Sequence, residues 1–232
     1  MKKKITVSAR VAYAEGTDYQ FDTKGICLGP WTSYSYINDP KHMSFVLARY
    51  KFCARMLEGK QRVLEVGSGD GFGLPIVCQS VKQVYAVDWD TRLLDSNKKR
   101  LAYLKNVSYI HCDLNSSSPK LKVDGAYLID VIEHLEPHKE ARFMKNIVRC
   151  LLPDGVIIIG TPNITASAYA TPRSRVQHIN LKSMAGLRRL AEKYFKNVFM
   201  FGMNDEVLHT GYAPMCHYIW AVGAGVRRGA VK

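Results

Sequence analysis

No part of this 232-residue sequence stays apolar for long. Its longest apolar runs, such as Val156-Ile157-Ile158-Ile159, fall far short of the roughly 20 residues that a membrane-spanning helix needs. Paired cysteines are missing too. Cys27, Cys53, Cys78, Cys112, Cys150 and Cys216 are scattered without a C-x-x-C pair, which argues against a zinc site built from spaced cysteine pairs. Acidic residues are few: 20 Asp+Glu stand against 33 Lys+Arg, a formal charge of +13. That balance favours anionic partners without choosing among them. Met1-Lys2-Lys3-Lys4 opens like a signal peptide, but Ser8 and Arg10 break up the next few residues, so no apolar core of a leader forms. A cytoplasmic, reduced protein is the expectation. There is no internal repeat and no long low-complexity tract. Hydrophobic residues make up 47% and charged residues 23%, which excludes disorder as the dominant state, and the length fits one domain with at most a modest cap.

Periodicity supplies the architecture. Residues 1–40 show weak periodicity and read as an N-terminal cap or substrate segment; 41–232 read as the catalytic domain. From 41 to 58, Phe45, Val46, Arg49, Phe52, Cys53, Met56 and Leu57 recur at helical spacing, and Gly59 ends the run. Strands are expected at 62–66, 83–88, 107–111, 123–129 and 156–160, alternating with helices near 72–80, 91–104, 138–151 and 183–194. This alternation predicts an α/β, doubly wound, Rossmann-like and mostly parallel sheet. Two further strands, 197–203 and 217–222, follow each other without a helix, so a seven-stranded sheet ending in an antiparallel hairpin at its edge is expected. The long connection 161–182 reads as functional or as a lid.

The most informative stretch is Val63-Leu64-Glu65-Val66-Gly67-Ser68-Gly69-Asp70-Gly71, an apolar strand running into a glycine turn. Such a turn lets a ligand approach the backbone at the carboxyl end of the first strand. Phe72 stands where a dinucleotide fingerprint needs its third glycine. Glu65 suits a cationic group such as an amine better than a pyrophosphate. Asp88 closes the next strand, where a carboxylate can accept from both ribose hydroxyls. Trp89 offers a flat face to a purine, and Asp113 follows the third strand.

These features, in this order, resemble the class I S-adenosylmethionine-dependent methyltransferases over about residues 45–223. The resemblance implies S-adenosylmethionine as cofactor. It implies that Glu65, Gly67 and Gly69 line the methionine end within the turn shared by Ser68 and Gly71. It implies that Asp88 holds the ribose and that Asp113 and Leu114 flank the adenine, with Asp130 at the end of the fourth strand. Val123–Asp130 and Leu151–Val156 resemble that family's fourth strand and the turn before its fifth.

A second constellation follows the fourth strand: Asp130-Val131-Ile132-Glu133-His134. In a helical turn Asp130, Glu133 and His134 would share a face. Together with Thr161-Pro162-Asn163 and a downstream His178, this resembles the ubiquinone-pathway O-methyltransferases and the small-RNA terminal 2′-O-methyltransferases. In the RNA branch similar residues hold a divalent metal. The resemblance makes Asp130, Glu133, His134 and His178 candidate ligands for Mg²⁺, Mn²⁺ or Zn²⁺. Asp130 stands where the RNA branch carries Glu, and the aromatic-rich sequence that follows the histidine there is absent. Without metal, His134 or His178 is a candidate general base for an acceptor hydroxyl.

The acceptor is expected between Trp31, Tyr34 and Tyr36 on one side and Tyr169, Arg173, Arg175, His209, Tyr212 and His217 on the other. Aromatics beside arginine suit a sugar or phosphorylated acceptor. The stretch 161–180 also resembles methyltransferases of bacterial surface-glycan pathways. The expected function is O-methylation of a small anionic or glycan-like acceptor. RNA 2′-O-methylation and a catalytically silent, cofactor-binding subunit are the alternatives. No concentrated basic stripe with interleaved aromatics supports nucleic acid as partner.

Overall fold

The computed structural model describes residues 25–230. The basic start Met1–Lys4 and residues 1–24 of the expected cap lie outside the described residues. The remainder of that cap holds a helix, α1 (Pro30–Asn38), followed by α2 (His42–Met56). The alternating unit then runs β1 (Val63–Val66), α3 (Leu74–Val77), β2 (Val84–Asp88), α4 (Thr91–Arg100), β3 (Val107–His111), β4 (Val123–Ile129), α5 (Glu140–Val148) and β5 (Leu151–Pro162). After β5 come α6 (Pro172–Gln177), α7 (Met184–Glu192), β6 (Phe195–Asn204), β7 (Val207–His209) and β8 (Tyr218–Val226). Among the described residues, no helix is long and apolar enough to cross a membrane.

All strands join one sheet in the order β3-β2-β1-β4-β5-β8-β6-β7. β1 to β5 are parallel, and β8 runs antiparallel to both β5 and β6. The sequence leads away from β1 in one direction through β2 and β3, and in the other through β4 and β5. That reversal opens a crevice at the carboxyl ends of β1 and β4, where open α/β sheets bind ligands. Alternation along β1 sends Leu64 and Val66 into the core on one face, with Leu128 and Ile159, and Val63 into the other, with Tyr127 and Ile158. Both faces are covered by helices, which explains the near-continuous apolar strands.

Several expectations shift. The sheet has eight strands, because the expected 204–216 loop contains the short β7, paired with β6. The expected antiparallel pair does extend the β5 end of the sheet, with β8 lying between β5 and β6 and the short β7 added outermost. The helix expected over 72–80 shrinks to α3, since Gly71 is left-handed (φ +74°) and Gly73 and Pro75 delay helix entry. The helix expected to reach 151 ends at Val148, and the predicted turn at 151–155 is drawn into β5, where the ladder with β4 breaks register between Val123 and Gly125. The 161–182 connection is not irregular throughout; it carries a 3₁₀ turn at Ile164–Tyr169 and then α6.

Behind the crevice, Trp220 of β8 is fully buried. Its ring meets Phe52 at 4.9 Å and Tyr218 at 5.1 Å. It fills the space above Gly160, where a Cβ would lie 2.5 Å from the indole. A ring clamped from both sides cannot retreat, so Gly160→Ala should cost about 1–3 kcal/mol by overpacking. The urea midpoint is expected to fall with an unchanged m-value; an unchanged midpoint would show that the indole has room to move.

Candidate active site

At the end of β1 the chain reverses through three left-handed glycines, Gly67 (φ +70°), Gly69 (φ +52°) and Gly71 (φ +74°). Residues with a Cβ avoid this region, so the glycines make the turn. Gly67 N and Ser68 N donate to Val87 O at 2.9 and 3.0 Å, and Gly71 N to Ser68 O at 2.9 Å. The Asp88 carboxylate accepts from Gly69 N at 2.8 Å and, through its other oxygen, from Asp90 N at 2.9 Å. Asn97 of α4, fully buried, donates to Gly69 O at 2.8 Å. Asp88 is thus part of the turn's scaffold, and each of its oxygens keeps a second lone pair for a ligand hydroxyl.

Two buried polar atoms face this turn without a hydrogen-bond partner among the described residues: Glu65 Oε2 and Ser68 Oγ. Unpartnered buried oxygens are costly. Burial pushes the Glu65 carboxyl up to about 8; the nearby Tyr127 hydroxyl opposes the rise, and Asp88 and Asp70 add to it. A bound ammonium would supply the missing donor and counter-charge. The set therefore fits the aminoacyl end of S-adenosylmethionine. At the other end of the crevice Trp89 is 68% exposed, free to lie against a purine. Asp113 is also exposed, although its Oδ1 accepts from Asn115 N at 2.8 Å. Leu114 turns its side chain into the core, in the same apolar cluster as Met144 and Ile147, so only its backbone is left to line the crevice.

The second constellation departs from the expected helical face. Asp130 is left-handed (φ +55°) and lies outside the 3₁₀ turn Ile132–His134. Its carboxylate turns away to Arg49 of α2, 2.8 Å from Nη1. The Arg49 guanidinium lies 3.9 Å above the Tyr218 ring. Its other oxygen, Oδ1, is buried without a partner among the described residues, and Asp130 is not in the group of ligand atoms that converge nearby. Glu133, His134 and His178 do converge, one ligand atom of each lying within 4.8 Å of the others.

Loop bonds explain how residue 178 reaches residue 134. Asn180 N donates to Glu133 O at 3.0 Å and Asn180 Nδ2 to Glu140 Oε2 at 2.9 Å, pinning the connection to the 3₁₀ turn. The imidazoles of His134 and His178 are 5.0 Å apart, edge to face. His134 Nδ1 lies 3.1 Å from Gln177 O. A carbonyl can only accept, so Nδ1 carries the proton and the neutral ring keeps a lone pair on Nε2. Glu133 is fully buried; Oε2 accepts from Thr161 Oγ1 at 2.9 Å, while Oε1 has no partner among the described residues. Burial, and then Asp130, pushes Glu133 up to about 8. Burial and the neighbouring His134 lower His178. One unpartnered carboxylate oxygen beside two imidazoles is a donor set that fits a divalent cation.

The expected acceptor residues are only partly assembled. Arg175 is committed to its own loop, donating to Ala170 O at 3.0 Å and Ala168 O at 2.9 Å. His209 accepts through Nδ1 from Gly211 N at 3.0 Å and holds the turn after β7. Tyr34 and Tyr36 on α1, Arg173 on α6 and Tyr212 are exposed. Sequence reasoning missed Asn97 and the Arg49–Asp130 pair, and it singled out Thr161 without foreseeing its bond to Glu133. Arg49 did leave a signal, as the one charged residue on the otherwise apolar face of α2.

Residues 64–159 match a family model described as a methyltransferase domain. A Mycobacterium tuberculosis protein named "Probable S-adenosylmethionine-dependent methyltransferase" is 32% identical over 101 residues, 44% of this chain and 35% of its own length. A ubiquinone biosynthesis O-methyltransferase of Rickettsia bellii is 32% identical over 112 residues, 46% of this chain and 44% of the relative. The chain thus spans less than half the length of either. Among solved structures, the methyltransferase domain of bacterial CtHen1-C aligns with TM-score 0.65 at 22% identity, covering 78% of this chain and 98% of that one. The N-methyltransferase NodS of Bradyrhizobium japonicum, in complex with S-adenosyl-L-homocysteine, aligns with TM-score 0.59 at 15% identity over 91% of this chain and 97% of that one.

The raised Glu65 carboxyl binds its proton more tightly in the folded than in the unfolded chain. Its contribution therefore makes stability fall as pH rises from about 4.5 towards 8. In buffer containing EDTA, the urea midpoint should decline across this window, and Glu65→Gln should flatten the decline by roughly half, Glu133 contributing in the same direction. A wild-type pH profile in the Glu65→Gln variant would count against the buried, uncompensated carboxyl.

Proposed function

We propose, from the premise that residues 64–159 carry the methyltransferase domain of the class I S-adenosylmethionine-dependent family, that the chain transfers a methyl group to an oxygen of a small, anionic or glycan-like acceptor. The observation that carries the cofactor reading is the pair of buried, unpartnered oxygens of Glu65 and Ser68 beside a left-handed glycine turn at the sheet's switch point. Glu65 holds the cofactor's ammonium, the backbone of Gly67–Gly71 admits its chain, and Asp88 accepts from its ribose. Asp113 and Trp89 receive the adenine. When bound, S-adenosylmethionine supplies an electrophilic methyl on a positively charged sulfur, an excellent leaving group, so the protein mainly aligns the acceptor and removes its proton.

Oxygen as the acceptor atom is supported by what surrounds the carboxyl ends of β4 and β5. A hydroxyl must lose a proton as it is methylated, and Nε2 of His134 keeps a lone pair suited to take it. Glu133, His134 and His178 would alternatively hold a divalent cation, whose Lewis acidity would lower the pKa of an acceptor hydroxyl. The excess of basic residues, +13 in all, supports an anionic acceptor. Arg173, Tyr34, Tyr36 and Tyr212 are exposed and would recognise it. An RNA acceptor is the alternative, and a steep salt dependence of RNA binding would favour it.

Titration calorimetry with S-adenosyl-L-homocysteine should show saturable one-to-one binding and none with NAD. Glu65→Gln should weaken that binding about tenfold or more, the loss of one charge-assisted bond, while leaving the turn's own hydrogen bonds in place. Binding of NAD, or undiminished affinity in the Glu65→Gln variant, would defeat the assignment. For the second centre, Mn²⁺ titration should give one site that Glu133→Gln or His178→Ala removes. Turnover unaffected by EDTA and by added Mn²⁺ would instead leave His134 as base.

A further inference from the structure

Helix α1 is tied to the glycine turn by polar contacts at its very start. The Asp70 carboxylate, 6% exposed, accepts from Thr32 N at 2.8 Å and from Thr32 Oγ1 at 3.1 Å. It thereby satisfies an amide of the first helical turn that no helix can satisfy for itself. Gly29 precedes the helix where a Cβ would collide with Asp70 Oδ2, so only glycine lets the carboxylate reach in. Arg100 braces the same corner, donating to Asp70 O at 2.6 Å and to Cys27 O at 3.3 Å. Apolar burial adds little to the docking of α1 beyond the partly covered Trp31, because among its described residues only Thr32 is fully buried.

The residue that this latch delivers is Trp31. Its indole packs directly on Gly69, where a Cβ would be 2.8 Å from Cζ3. The rest of the ring stays open, since Trp31 is 55% exposed. A half-open indole, pressed on the backbone of the turn and fixed by a buried carboxylate from that same turn, is an unfinished wall. We infer that Trp31 is a cofactor-contacting residue, roofing the turn at Gly69, and that Asp70 is the positioning residue that holds it there. This rests on the reading of the turn as the S-adenosylmethionine site. The ring offers an apolar, polarisable face to a thioether or sulfonium chain passing over Gly69.

The test needs no methyl acceptor. S-adenosyl-L-homocysteine is titrated into wild-type, Trp31→Ala, Trp31→Phe, Asp70→Ala, Asp70→Asn and the Trp31→Ala/Asp70→Ala double variant, with melting temperatures as folding controls. Trp31→Ala should raise Kd about tenfold, and Trp31→Phe, which keeps a ring, should restore most of it. Asp70→Ala should cost a similar factor and Asp70→Asn less, because the amide oxygen can still accept from Thr32 N. The double variant should bind no more weakly than Trp31→Ala alone, since Asp70 acts through the indole. In a Trp89→Phe background, ligand should still change tryptophan emission, and adding Trp31→Phe should abolish that change, leaving only buried Trp220. Wild-type binding with Trp31→Ala unchanged or tighter would overturn the inference, making the indole a bystander or a plug. So would full additivity of the two substitutions. A wild-type chain that binds no ligand would defeat the cofactor reading itself, a result distinct from both.

Discussion

The constraint on which the molecule turns is a backbone one. Three left-handed residues within five positions, Gly67, Gly69 and Gly71, are a conformation that no hydrophobic contact can hold. It persists because the turn's polar groups are answered from outside it: Val87 O takes two amides, Asp88 takes the amide of Gly69, and Asn97 reaches its carbonyl. Each answering group comes from β2 or α4, so the second βα unit must be in place before the first loop has its shape. The crevice is therefore a property of the assembled sheet and not of the glycine motif by itself.

The same logic governs the other end of the site. Asp130, also left-handed, is held by Arg49 from a helix outside the matched stretch, and Arg49 in turn rests on Tyr218 of the last strand. Elements far apart in the chain thus meet at the carboxyl end of β4. The 161–182 connection adds its part through Asn180, whose bonds to the 132–140 region carry His178 to His134. The buried carboxylates Glu65 and Glu133 are both raised by desolvation and both keep an oxygen without a partner among the described residues. A fold stores such groups at a cost, and both lie at the carboxyl ends of the central strands, where open α/β sheets bind ligands.

The range of the forces involved decides how much of this could be read from residues alone. β1 to β5 were legible because each is an apolar run bounded by turn residues, and the glycine turn because its requirement is local. Glu65, Asp88 and the pairing of Glu133 with His134 followed from their positions at strand ends. Helix α1 was not legible: it is docked by Asp70 and Thr32 and carries no apolar stripe to betray it. The shared face expected for Asp130, Glu133 and His134 did not form because a helical turn was assumed where the Asp130 backbone is left-handed. Arg175 looked available for an acceptor, yet two carbonyls of its own loop consume it. In each case the deciding contact is long-range, or turns on a side chain's direction, which spacing does not encode.

The insertion of β8 between β5 and β6 sets an order of events during synthesis. Until residues 218–226 have left the ribosome, β5 ends the parallel array with an unpaired edge, and β6 has no neighbour on its inner side. A nascent chain at that stage presents open backbone amides and carbonyls to any passing strand. The nine-residue β8 acts as a keystone: made after both of its neighbours, it closes the gap from both sides at once.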